Sequence, residues 1–131
     1  MSAEGCTLER FLRGEVAARD FPHREHVRMA FELLLRHEFT ETAHRYAQAL
    51  RLITARAGKP QAFNLTLTIA FLALIAERME GSGHADFAAF AQAHPELFAR
   101  DVLARWYRPE QLATALARRS FVLPDLQSPR R

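Results

Sequence analysis

Two of the six histidines stand three residues apart, in the run Phe21-Pro-His-Arg-Glu-His26-Val. Residues at i and i+3 share one side of a helix, so His23 and His26 project together if a helix begins after Pro22. Two imidazoles in that relation suit a divalent metal, which makes His23 and His26 candidate metal ligands. Their place at a helix start works the other way, because the positive end of the helix dipole disfavours a cation. The spacing also differs from that of the zinc proteases, whose paired histidines are four apart around a catalytic glutamate. The plainer alternative is a capping residue and a surface neighbour.

A second polar set lies inside residues 62–76, AFNLTLTIAFLALIA, the most apolar stretch of the chain. Its only polar side chains are Asn64, Thr66 and Thr68. Asn64 and Thr68 fall at i and i+4 and would be carried inward together, where an amide and a hydroxyl need partners. In one reading Asn64 caps the helix while Thr66 and Thr68 bond back to carbonyls one turn earlier. In the other, Asn64 and Thr68 line a small pocket and face a ligand or the histidine pair.

The third set closes the chain. Arg118 and Arg119 precede Phe121 and Pro124-Asp125. Arg118 is a candidate clamp for a small acidic ligand, although two arginines at a helix C-terminus are also favoured by the dipole alone. If the tail folds back, Asp125 becomes an oxygen ligand for the metal or a group that orients a histidine.

These sets need elements to hold them. Thr7 caps a short helix that ends at Gly14, and Phe21-Pro22 is a stop. Val27, Ala30, Phe31, Leu34 and Leu35 repeat at helical spacing and predict a helix from His23 to about His37. Thr40 caps a third helix reaching Ala57, with Tyr46, Leu50 and Ile53 inward. Residues 62–76 show no one-sided stripe, so the helix they open, running to about Glu80, is a buried rod covered on most sides. Gly81-Ser-Gly83 reads as a break. Beyond it come short helices, capped by Ser82 or Asp86, by Asp101 over residues 102–107, and opened by Pro109 over residues 110–119. An apolar tail follows, packed back on the body. With no strand alternation anywhere, the expected fold is all-α, one domain over residues 1–131, a bundle of five to seven helices around a central one. Residues 1–6 and 127–131 are expected to fray.

A chain of 131 residues is long enough to bury a core without staples. One cysteine, Cys6, excludes an internal disulfide, and with no leader-like run at the start it predicts a cytoplasmic protein. Cys6 has no partner histidine at a telling distance, and a cysteine nucleophile is rejected. The apolar stretch is too short for a bilayer, so no membrane is expected. The formal charge of +3 is nearly all arginine, Lys59 being the only lysine, a bias that fits a GC-rich bacterial genome. Apart from Arg118, Arg119, Arg130 and Arg131 against Asp125, basic residues alternate with acids, so a nucleic-acid partner is not expected. His37, His44, His84 and His94 are scattered and read as surface residues.

Three segments, taken together in order, resemble a family of small, mostly uncharacterised bacterial proteins. They are Phe21-Pro-His-Arg-Glu-His26-Val, Phe63-Asn-Leu-Thr-Leu-Thr68 and Ala117-Arg-Arg-Ser-Phe-Val-Leu-Pro-Asp-Leu126. That family carries a phenylalanine-led His-x-x-His, an aromatic-(His/Asn)-Glu-Thr-x-Thr segment and a closing Pro-Asp-Leu. The resemblance implies that the three segments belong to one site or one core; it implies no activity. Leu65 stands where the family tends to have glutamate, which removes a possible oxygen ligand.

The functional expectation is a polar pocket between the His23 helix and the central helix, holding a divalent metal or a small acid. Its residues are His23, His26 and Asp125 for the metal and Asn64, Thr68 and Arg118 for the ligand. Metal occupancy would fall below about pH 6, where imidazole protonates. The competing expectation is a non-catalytic homodimeric interaction module, drawn from the ten phenylalanines and the short helices after Gly83. A helical bundle does not disclose whether there is a reaction at all.

Overall fold

The computed structural model describes residues 5–83 and 85–126; His84 and both chain ends lie outside the described residues. Within them the protein is all-α, with no strand. Seven helices follow in order: α1 (Leu8–Leu12), α2 (His23–Arg36), α3 (Phe39–Arg56), α4 (Leu65–Ser82), α5 (Phe87–Ala93), α6 (Pro109–Leu112) and α7 (Ala115–Arg119). Single 3-10 turns at Ala18–Asp20, Pro60–Ala62, Pro95–Phe98 and Val102–Arg105 join them. No described helix is long and apolar enough to cross a membrane.

Helix α4 is the hub and packs against α2, α3 and α7. Its Thr66, Thr68, Phe71, Leu72, Leu74 and Ile75 are buried. The rod is not enclosed all round, however. Leu67 is 44% exposed, because the first turn of α4 borders a cavity instead of a helix. Asn64 caps α4 through Oδ1, which accepts from the Leu67 amide at 3.0 Å. Gly83, with a φ of +68°, ends the helix in the left-handed conformation that favours glycine. Gly81 and Ser82 continue the helix and do not break it.

Other boundaries depart from expectation for local reasons. Helix α3 begins at Phe39, which packs on the core, so Thr40 lies inside the helix and does not cap it. The segment after Pro109 is two helices. Thr114 interrupts it by accepting from the Ala117 amide at 3.1 Å and donating to the Gln111 carbonyl at 2.9 Å. Asp101 precedes a 3-10 turn and its side chain caps nothing. Residues 5 and 6 are not frayed: Cys6 packs against the core, and its carbonyl accepts from Arg28 at 2.7 Å. Burial, then the Glu25 carboxylate, push the Cys6 thiol up to about 11, the wrong direction for a nucleophile.

The aromatic side of α5 is covered within the chain. Phe90 stacks on Phe31 of α2 with centroids 4.9 Å apart, and Phe87 meets the same ring at a tilt at 5.7 Å. Phe90 is fully buried by these contacts, while Leu116, Phe121 and Leu123 in the same half of the chain remain exposed.

Gly14 joins α1 to α3 at close quarters. Its φ is +70°, its carbonyl accepts from Arg56 at 2.7 Å, and a Cβ there would collide with the Cβ of Leu52. Gly14→Ala combines a left-handed penalty with that collision, and a loss of about 2–3 kcal/mol is expected in urea denaturation. A change near zero would mean that α1 moves off α3 freely.

Candidate ligand cavity

The histidine pair is placed by an aromatic stack. Pro22 is the N-cap of α2, so His23 and His26 both fall in its first turn. Phe21, immediately before, folds back so that its ring stacks on His26 at 4.0 Å, while Phe11 stacks on Phe21 at 5.2 Å. Tyr46 of α3 lies against Phe11 and donates its hydroxyl to the His26 carbonyl at 2.9 Å. The His26 ring thus has little freedom. On the other side, His23 Nε2 lies 2.9 Å from the Leu97 carbonyl, which can only accept, so Nε2 carries a proton.

His26 is held neutral. Removal from water, then the neighbouring His23, lower its pKa from 6.5 to about 4, against a hydrogen bond to the Phe21 main chain. The ring marks a site that disfavours charge.

Both imidazoles line a cavity of about 680 Å3. Its walls come from Phe21-Pro22 and the first turn of α2, from Leu67 and Phe71 of α4, and from the arm over residues 100–112. Leu103, Tyr107 and Leu112 supply the apolar part of that arm, and Arg100 and Asp101 supply the charge. Arg100 and Asp101 are exposed, which puts them at the open side. Neither makes a side-chain ion pair among the described residues. A second cavity of about 150 Å3 adjoins the first, and His26, Asn64 and Thr68 all line it. His26, but not His23, shares this second lining with Asn64 and Thr68.

The rest of the expected site is arranged differently. Asn64 and Thr68 reach the cavity wall with their polar atoms already engaged. Asn64 Nδ2 donates to the Leu112 carbonyl at 2.8 Å, and Thr68 donates to the Asn64 carbonyl at 2.8 Å. Asp125 lines neither cavity: it accepts from the Arg108 amide at 3.0 Å and lies 3.8 Å from the Arg108 guanidinium. Arg118 sits exposed on α7 and lines none of these walls.

Among the described residues no three His, Cys, Asp or Glu side chains are disposed to hold one metal ion, so His23, His26 and Asp125 do not form the expected ligand set. The two imidazole centroids are 6.0 Å apart. A tetrahedral ion bonded to both rings would draw the centroids to roughly 5 Å.

Thr66, read from sequence as a residue bonding within its own helix, instead anchors the tail. Its hydroxyl donates to the Ser120 carbonyl at 2.6 Å and accepts from the Val122 amide at 3.1 Å. The three segments quoted from sequence thus adjoin through α4. Sequence reasoning missed Arg100, Asp101 and Tyr107, for which periodicity carries no signal in a run of short turns.

Comparisons of the chain with protein-family models, with curated proteins and with solved structures found no match.

Proposed function

We propose that this is a cytoplasmic small-molecule-binding protein, and that its ligand is a small organic acid with an apolar body lying in the 680 Å3 cavity. One observation carries the reading. The cavity is apolar and uncharged at depth, where His26 stays neutral, and carries its only formal charges at the open side. Such a gradient suits a molecule whose charged end remains near water while its body replaces water against Phe21, Phe71, Leu103 and Leu112. An ion driven in beside His26 would meet the same desolvation that discharges the imidazole.

The sign of the charged end is assigned through Arg100. It is the cation among the lining residues, while Arg105 lies over the Trp106 ring and Arg108 is turned toward Asp125. The guanidinium fork of Arg100 matches a carboxylate. Asp101 beside it rejects acids that approach with a second charge. Arg100 thus takes the part that sequence reasoning assigned to Arg118.

Calorimetric titration with phenylacetate, phenylacetamide and benzylamine tests this. Saturable binding is expected for phenylacetate, weaker binding for the amide and least for the amine. Arg100→Ala is expected to weaken phenylacetate roughly fivefold, about 1 kcal/mol for a solvated ion pair, and to leave the amide as it was. Equal affinity for acid and amine, or none for any of the three, would overturn the reading.

A further inference from the structure

The wall between the large cavity and its smaller neighbour is a single layer, since His26, Leu67 and Phe71 line both. The inner chamber has a volume of about 150 Å3. Polar side chains reach its wall, and the donor hydrogens of their hydroxyls are engaged inside the protein. Tyr46 donates to the His26 carbonyl at 2.9 Å, Thr54 to the Leu50 carbonyl at 3.0 Å and Thr68 to the Asn64 carbonyl at 2.8 Å, while Asn64 joins the Leu112 carbonyl at 2.8 Å and the Leu67 amide at 3.0 Å. The rest of the wall is apolar, from Leu50, Ala62, Phe63, Leu67 and Phe71, and an apolar space of about 150 Å3 accepts a group the size of benzene. The chamber reaches the surface at Ala62, and Leu67, which stands between it and the outer cavity, is 44% exposed.

We propose that the inner chamber is the subsite for the apolar end of the ligand. The protein then selects an elongated amphiphile, a medium-chain or aryl-alkyl monocarboxylic acid, with its head at Arg100 and its tail passing between Leu67 and Phe71. This rests on the outer cavity being the ligand site, and the experiment separates the two.

Straight-chain carboxylates from butanoate to dodecanoate, each below its micelle concentration, are titrated into the whole protein beside phenylacetate. Each added methylene that finds buried space raises affinity about fourfold. The rise is expected to continue after the outer cavity is filled and then to stop. Ala62→Phe, on the exposed short turn at the chamber's outer edge, is expected to shorten the preferred chain by several carbons and to weaken the longest acids tenfold or more. Leu50→Ala, which enlarges the chamber without crowding the fold, is expected to lengthen the preferred chain. The same preferred length in wild type and both variants would overturn the inner subsite. If phenylacetate itself does not bind, the outer site falls with it.

Discussion

Thr66→Val is expected to destabilise the protein by about 2–3 kcal/mol, the largest effect of any near-isosteric change on α4. The Thr66 hydroxyl is fully buried and serves two main-chain groups of the tail at once, the Ser120 carbonyl at 2.6 Å and the Val122 amide at 3.1 Å. Valine keeps the volume and removes both partners. The tail's other anchors are more exposed: Tyr107 to the Val122 carbonyl at 2.8 Å, Gln111 to the Leu123 carbonyl at 2.9 Å and from the Asp125 amide at 3.1 Å, the Arg108 amide to Asp125 at 3.0 Å and the Leu126 amide to the Trp106 carbonyl at 3.1 Å. Burial contributes little there, with Phe121 44% and Leu123 76% exposed. Amide exchange at Val122 and Leu126 should therefore accelerate more than exchange in α2 or α3, while Thr66→Ser recovers most of the loss. Wild-type stability and unchanged exchange in Thr66→Val would show that the tail is held by something else.

The second large effect is a dependence of stability on pH that belongs to His26. The ring titrates near 4 in the fold against an ordinary value of 6.5. Between those values the unfolded chain binds the proton and the folded chain does not, so stability falls as pH falls. It is complete above about pH 6.5, declines through the window, and levels off below about pH 4, a total of roughly 3 kcal/mol for a shift of this size. Urea denaturation at pH 7.5, 6 and 5 reads it out. In His26→Gln the decline over this window should be largely absent, although the variant starts less stable for want of the stack on Phe21 at 4.0 Å. An equal slope in both proteins would place the titrating group elsewhere.

The parts of this fold that periodicity controls were legible in the chain. Helix α2 follows from its apolar spacing and α4 from its unbroken apolar run, and the caps Thr7, Asn64 and Asp86 follow from side chains that accept main-chain amides. The meeting of His26 with Asn64 and Thr68 was legible as well, since polar groups inside an apolar rod must find a neighbour. What could not be read was the second half of the site. Residues 94–114 fold through short turns set by Pro95, Pro109 and Thr114, and the direction of each turn depends on tertiary contacts. Asp101 was read as a cap because aspartate caps helices, yet it sits before a 3-10 turn at the cavity's open side. Asp125 and Arg118 were read as site residues because they are charged and close the chain. Asp125 is engaged by Arg108, and Arg118 is exposed and lines neither cavity. Charge at a terminus has no period, so only the path of the tail decides where it falls.

The central claim is that a small acid lies between the two imidazoles and Arg100. The most direct measurement is a solution NMR study of the protein with phenylacetate, using intermolecular contacts from the ligand ring. The account predicts contacts to Phe71, Leu103 and the His26 ring, with the Arg100 guanidinium signals shifting as the acid saturates. Contacts confined to α7, where Arg118 and Arg119 stand, or no saturable shift in the millimolar range, would contradict it.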